Sequence, residues 1–139
     1  MILGIQDILT PDEVAAINMQ LESIDFVDGR ETAGVHARVV KNNEQAPKSD
    51  PRVDPLKKRI EAALMRNRVF AMAVRPRRLS LLFNRYGEGQ TYGSHVDNAY
   101  MRELRTDVSL TLFLADPSTY EGGELVMEET SGERRIKLR

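Results

Sequence analysis

The sequence contains no cysteine and no tryptophan, and only two of its 139 residues are histidine. The absence of cysteine excludes disulfides, thiolate metal sites and cysteine nucleophiles. No stretch approaches the roughly 18 apolar residues that a membrane-spanning helix needs. The first residues lack a basic leader and reach the acidic Asp7 early, so we expect no signal peptide and a cytoplasmic protein. These absences leave few kinds of metal or catalytic site open.

The bulk properties are those of an ordinary folded domain. The chain is 41% hydrophobic and 29% charged, with a net charge of −1. A chain of this length can bury a single core, and its composition is not that of a disordered segment. With so little net charge, we expect neither nucleic acid nor a membrane as a partner.

The pattern of apolar residues predicts an α+β fold. Helix signals occupy the first half: Thr10 and Glu13 match a capping box before a helix over residues 11–23, and Asp54 begins a second helix that runs to about Arg68. Extended segments are predicted at residues 2–9, 32–45, 79–83, 108–114 and 124–127. We therefore predict an N-terminal helical and extended region at 1–70, followed by a sandwich or jelly-roll region at 71–139.

The most informative segment is His95-Val96-Asp97. Side chains two apart on a strand share a face, which would place the imidazole beside the carboxylate and turn Val96 into apolar packing. These two groups are two thirds of the 2-His-1-carboxylate triad that holds ferrous iron. On its own, a His-x-Asp sequence is as well explained by a structural histidine bonded to an aspartate.

Three polar side chains precede this pair. Asn84 and Tyr86 share parity on a predicted strand, so both could face one cavity, and a phenol there could donate to a carboxylate oxygen. Residues 87–90 supply a tight connection to Tyr92. As single residues, the two tyrosines are equally compatible with simple packing in a sheet.

Together these residues, NRYGEGQTYGSHVD at 84–97, resemble the iron(II)/2-oxoglutarate-dependent dioxygenases of the prolyl-4-hydroxylase-like group. The resemblance is closest to the bacterial PKHD-type hydroxylases associated with iron uptake. Further segments fit in order along nearly the whole chain: DGRETAG (28–34), KNNEQ (41–45), RTDVSLTLFL (105–114) and YEGGELV (120–126).

The resemblance implies N-terminal helices packed on a double-stranded β-helix, or jelly roll. It also implies that His95 and Asp97 are iron ligands and that Tyr86 lies near the 2-oxoglutarate. Since Asn84 shares the parity of Tyr86, we expect both side chains to bind this co-substrate. Phe113 falls where some relatives have a second tyrosine. Members of the family use iron(II), 2-oxoglutarate and oxygen to hydroxylate an unactivated C–H bond of a small-molecule or peptide substrate, and many need L-ascorbate.

The family pattern continues with a distal histidine ligand and an arginine that pairs with 2-oxoglutarate, and neither is found downstream in this sequence. The jelly roll is therefore expected to be incomplete at its C-terminal end, with open sheet edges that favour a homo-oligomer. Three explanations stay open: a fragment of a longer enzyme, a short form completed by another subunit, or a non-catalytic relic that serves as an interaction module. Substitute ligands would be His36, Glu124 or Glu128, although the family arrangement points to none of them.

Overall fold

The computed structural model describes residues 1–32, 35–101 and 103–138, and side chains are not described between residues 32 and 37. The described chain divides into two compact units, Met1–Val108 and Ser109–Arg139. Both helices and antiparallel sheets are present, so the α+β prediction is confirmed. The small sheets of the described residues do not close into a barrel. The division at residue 70 stays a prediction.

The described part of the first unit contains four helices. They span Pro11–Glu22 (α1), Val35–Val40 (α2), Val53–Arg66 (α3) and Arg68–Val74 (α4). Helix α1 begins as predicted, because Thr10 Oγ1 accepts from the Glu13 backbone N–H at 3.2 Å and Glu13 Oε2 accepts from the Thr10 N–H at 2.8 Å. This reciprocal capping box satisfies two backbone donors at the start of the helix.

The core of the first unit lies against α3. This helix buries an apolar stripe made by Leu56, Ile60, Ala63 and Leu64. Arg66 at its last turn reaches α1, where its Nη2 lies 2.8 Å from Glu13 Oε2. The ion pair between Arg66 and Glu13 therefore connects α1 with α3, the two longest helices, and α3 buries one apolar face in the core.

Short strands pair in three separate sheets of the first unit. The strands are Val27–Asp28 (β1), Lys41–Asn42 (β2), Glu44–Gln45 (β3), Asn84–Arg85 (β4), Thr91–Tyr92 (β5), Tyr100–Met101 (β6) and Leu104–Arg105 (β7). Strand β3 lies between β1 and β4, β2 pairs with β5, and β6 pairs with β7, all antiparallel. Only Asn43 separates β2 from β3, so this one residue connects two sheets.

The second unit is built around a hairpin of Leu125–Glu129 (β8) and Gly132–Ile136 (β9). Gly122 and Gly123 precede it with φ of +67° and +71°, a conformation that favours glycine. Lys137 Nζ lies 3.9 Å from the centre of the Tyr120 ring and donates to the Tyr120 carbonyl at 2.7 Å. The strand predicted at 124–127 is confirmed within two residues.

Several predicted strands are wrong. Residues 2–9 form no strand, and residues 35–40 of the predicted extended segment 32–45 are helical. A helix at 68–74 was not predicted. Asn67 caps it, since its Oδ1 accepts from the Phe70 N–H at 3.0 Å. Residues 79–83 and 108–114 belong to no ladder of the described chain. A run of β-formers becomes a strand only when another strand supplies its hydrogen bonds, and this partner is invisible to local patterns.

Candidate metal centre

The predicted ligand pair lies in the connection between β5 and β6. His95 Nε2 and Asp97 Oδ1 are 3.4 Å apart, so the structure brings the imidazole and the carboxylate together as predicted. They stand on a loop instead of a strand. The prediction that Val96 packs inward is wrong, since its residue is 93% exposed. No strand of the described residues pairs with this segment, so the valine stays exposed.

The His95 ring is held by two contacts besides Asp97. Nδ1 lies 2.8 Å from the Gly93 carbonyl oxygen, which can only accept, so Nδ1 carries a hydrogen and Nε2 is the nitrogen that could bind a metal. The Tyr92 ring stacks on the imidazole, with centroids 3.8 Å apart and planes 12° from parallel. An outer hydrogen bond of this kind fixes the tautomer and the ring orientation of metal-binding histidines.

The separation of the two donors fits a shared divalent ion. With metal–ligand bonds of about 2.1 Å, atoms 3.4 Å apart subtend about 110° at the metal. Adjacent octahedral positions need a separation of about 3.0 Å, which a small rotation of the exposed Asp97 side chain supplies. The residues present therefore fit two positions of a metal centre. The described residues contain no group of three or more His, Cys, Asp or Glu that could hold a metal.

Tyr92 links this pair to the other predicted site residues. Burial is the largest cause that raises the pKa of Tyr92, and the negative charge of Asp97 and the neighbouring Tyr86 raise it further. Across the β2–β5 pair, Lys41 lies opposite Tyr92, with Nζ 5.2 Å from the ring centre. Burial lowers the pKa of Lys41, whereas the charge of Asp28 raises it.

Asn84 and Tyr86 both contact Asn43. Asn84 Oδ1 accepts from Asn43 Nδ2 at 3.4 Å and from Gln45 Nε2 at 2.6 Å. Tyr86 is hydrogen-bonded to Asn43, and its pKa is raised chiefly by burial. The connection between Tyr86 and Tyr92 is the predicted tight turn, since Gly87 N–H donates to Gln90 Oε1 at 2.7 Å.

Sequence reasoning gave no role to Lys41, Asn43 and Gln45, although it noted the segment that contains them. All three are buried. The available signal was a strand-like stretch with polar residues at alternate positions, where a half-buried strand would carry apolar ones. The substitute ligand His36 falls outside the described side chains, and Glu124 and Glu128 belong to the second unit.

No helix of the described residues is long and apolar enough to cross a membrane.

Comparison with known proteins identifies the family. Residues 81–139 match the model of the 2OG-Fe(II) oxygenase superfamily. Over 99% of its length, the chain is 46% identical to a PKHD-type hydroxylase of Picosynechococcus sp., 50% to one of Acaryochloris marina and 45% to one of Klebsiella pneumoniae. It spans 64% of the length of each of these relatives. The chain therefore belongs to the 2OG-Fe(II) oxygenase superfamily and, within it, to the group of PKHD-type hydroxylases.

Proposed function

We propose that this chain carries the iron-binding part of an Fe(II)- and 2-oxoglutarate-dependent dioxygenase that hydroxylates an unactivated C–H bond. The observation that carries the proposal is the His95–Asp97 pair, whose nitrogen and oxygen donors lie 3.4 Å apart with Nδ1 already engaged by a backbone carbonyl. The membership in a family of oxygenases agrees with it. The jelly roll implied by the family is part of the proposal.

The bound iron would supply oxygen activation. In the overall reaction one oxygen atom of O₂ enters the substrate C–H bond as a hydroxyl, and the other enters succinate as 2-oxoglutarate loses carbon dioxide. The protein supplies geometry and a defined environment. Here His95 and Asp97 would hold the metal, while the Gly93 carbonyl and the Tyr92 ring keep the imidazole in place.

Co-substrate binding is assigned to Tyr86 and Asn84. The Asn84 side-chain oxygen already receives two N–H donors, so its Nδ2 is directed away from them. A phenol and an amide N–H are suitable partners for a carboxylate. We infer that these two side chains contact a carboxylate of 2-oxoglutarate.

The remaining assignments follow from the same reading. The substrate is a small molecule or a peptide, L-ascorbate would keep the iron reduced, and the protein would act in the cytoplasm and could self-associate through open sheet edges. Two protein donors hold a divalent ion less firmly than three. We therefore expect weak iron affinity for the 139-residue chain.

Turnover of 2-oxoglutarate tests the proposal. Purified protein is incubated with 2-oxoglutarate, iron(II), ascorbate and oxygen. The succinate formed is compared with that formed by the His95→Ala variant. We expect succinate above the level of the variant. A folded chain that binds neither iron(II) nor 2-oxoglutarate would contradict the proposal.

A folded chain that binds neither iron(II) nor 2-oxoglutarate would favour a non-catalytic interaction module. The specific observation on its side is that the described residues offer no cluster of three metal-binding side chains. Circular dichroism distinguishes it from simple misfolding, because the helices α1 and α3 do not depend on the ligand pair.

A further inference from the structure

The segment formed by residues 41–45 buries polar side chains. Lys41 is 6% exposed, and Asn43 and Gln45 are each 2% exposed, while Asn42 between them is exposed. This is the period-two alternation of a half-buried strand, but the inward side is polar. Buried amides destabilise a fold unless they are hydrogen-bonded, so each one needs a structural or functional reason.

The oxygen of the Asn43 amide is packed against Gly29. A Cβ at position 29 would lie 1.9 Å from Asn43 Oδ1, so only glycine leaves room for this amide. The backbones are also joined, because the Gly29 N–H donates to the Asn43 carbonyl at 2.8 Å. Asn43 Oδ1 is buried and accepts no hydrogen bond from the described residues.

The nitrogen of the same amide faces Asn84. Asn43 Nδ2 lies 3.4 Å from Asn84 Oδ1. The same oxygen also accepts a hydrogen bond of 2.6 Å from Gln45 Nε2, two residues further along the 41–45 segment. Rotating the Asn43 amide by half a turn would set its oxygen against the Asn84 oxygen. Two acceptors facing each other without a hydrogen are repulsive, so the orientation of the Asn43 amide is fixed.

The fixed amide determines how Tyr86 bonds. The hydrogen bond from Asn43 acts to lower the pKa of the Tyr86 phenol, against the larger effect of burial, which raises it. Because Asn43 Oδ1 takes part in no hydrogen bond of the described residues, the bond to Tyr86 must use Asn43 Nδ2, and an amide nitrogen can only donate. Asn43 Nδ2 therefore donates to the Tyr86 oxygen, and the hydrogen of the phenol remains available to another acceptor.

We propose that Asn43 is a positioning residue that keeps Tyr86 a hydrogen-bond donor toward a carboxylate of 2-oxoglutarate. This inference rests on the proposed function for the identity of the ligand. It does not rest on it for the orientation of the phenol, which follows from the contacts of Asn43 with Gly29, Asn84 and Tyr86. Asn43 would act through Tyr86 without touching the reacting atoms.

The nearly isosteric variant Asn43→Asp tests the inference. Its carboxylate has no hydrogen to donate, so the phenol of Tyr86 would turn to donate to it and be withdrawn from the ligand. We expect 2-oxoglutarate, titrated calorimetrically in the presence of Mn²⁺, to bind roughly tenfold more weakly to the variant. The affinity for Mn²⁺ itself should not change. Asn42→Asp, an exposed neighbour with the same change of charge, is the matched control.

A double-mutant cycle separates positioning from general damage. If Asn43 acts through Tyr86, Asn43→Asp adds little to the loss caused by Tyr86→Phe, whereas independent effects would multiply. Equal 2-oxoglutarate affinities of Asn43→Asp and the parent protein, or fully multiplying losses, would overturn the inference.

A ligand-free measurement keeps the two proposals apart. The ionisation of Tyr86 is followed by the NMR signal of a ¹³C-labelled phenol carbon, and Asn43→Asp should raise the Tyr86 pKa because a donated hydrogen is replaced by a negative charge. An unchanged pKa would refute the orientation of Asn43. A raised pKa in a protein that binds no 2-oxoglutarate would leave the orientation standing and refute the proposed function, and with it the role toward the ligand.

Discussion

The imidazole of His95 lies parallel to the ring of Tyr92, with the two centroids 3.8 Å apart. The stack limits rotation of the imidazole and leaves its Nε2 edge toward Asp97. We therefore expect Tyr92→Phe to keep the metal affinity within about twofold and Tyr92→Ala to lower it by about tenfold, since only the second variant removes the stack. Titration with Co²⁺, followed by its visible absorption, measures both affinities. Equal losses in the two variants would argue for the hydroxyl instead of the ring.

The two ligands can be removed without touching the core. His95→Ala and Asp97→Ala should each abolish measurable binding of divalent iron, while the urea unfolding midpoint stays close to that of the parent, because both residues lie on a loop and neither belongs to the buried core. Val96→Ala changes the exposed residue between them and serves as the control. Retention of the parent iron affinity in both alanine variants would remove the basis of the metal centre.

Gly29 provides a test of the close packing around Asn43. Gly29→Ala places a methyl group 1.9 Å from Asn43 Oδ1, and we expect a loss of about 1–3 kcal/mol in the free energy of unfolding. Gly4→Ala is the matched control, because nothing lies within 4 Å of a Cβ at that position. Urea denaturation gives both values. Equal stabilities would show that the Asn43 amide moves aside at no cost.

The ion pair between α1 and α3 predicts a dependence of stability on pH. The hydrogen bonds from Arg66 and then Thr10 lower the pKa of Glu13 from 4.5 to about 2. Since the pKa of the folded state is the lower one, this stabilisation is complete above pH 4.5 and disappears as the pH falls toward 2.

Arg66→Met measures this dependence. The variant should unfold at lower urea than the parent at pH 7, and most of that difference should vanish at pH 2. Arg59→Met changes an exposed arginine of the same helix and should show no such convergence. A difference that is constant with pH would assign the effect of Arg66 to packing.

The core of the first unit rests on Leu56, whose side chain is fully buried on α3. Leu56→Ala should lower the free energy of unfolding by about 2–5 kcal/mol, because it removes apolar contacts and leaves a cavity. Met65→Ala on the exposed side of the same helix should cost far less. Urea denaturation measures both losses. Similar small losses in the two variants would indicate that α3 is loosely packed.

Local signals predicted the helices better than the strands. The capping box of Thr10 and the apolar stripe that includes Leu56 are short-range features, so the sequence contains all that is needed to recognise them. The helix at residues 68–74 was missed because the second helix was expected to end near Arg68, where the cap at Asn67 instead begins a new helix. Strand pairing depends on partners distant in sequence, which no local pattern reveals.

The candidate site was predictable where spacing alone decides the geometry. His95 and Asp97 are two residues apart and are found together, and Asn84 and Tyr86, which their parity places on one face of a strand, both contact Asn43. The identity of that neighbour, Asn43, was not predictable, because about forty residues separate it from them. The sequence also did not reveal that the ligands lie on a loop. Over only three residues, an alternation of polar and apolar side chains is equally compatible with a strand and with a loop.

The hydrogen-bond acceptor that orients His95 is the main-chain carbonyl of Gly93. No side-chain replacement can delete a backbone oxygen, so point substitutions at this position can alter the acceptor only by bending the chain. The space there is restricted too, since a Cβ on residue 93 would lie 3.0 Å from the Val40 Cβ. Attempts to retune the metal preference of this protein by design would therefore have to exchange the ligating side chains themselves or remodel the loop that holds them.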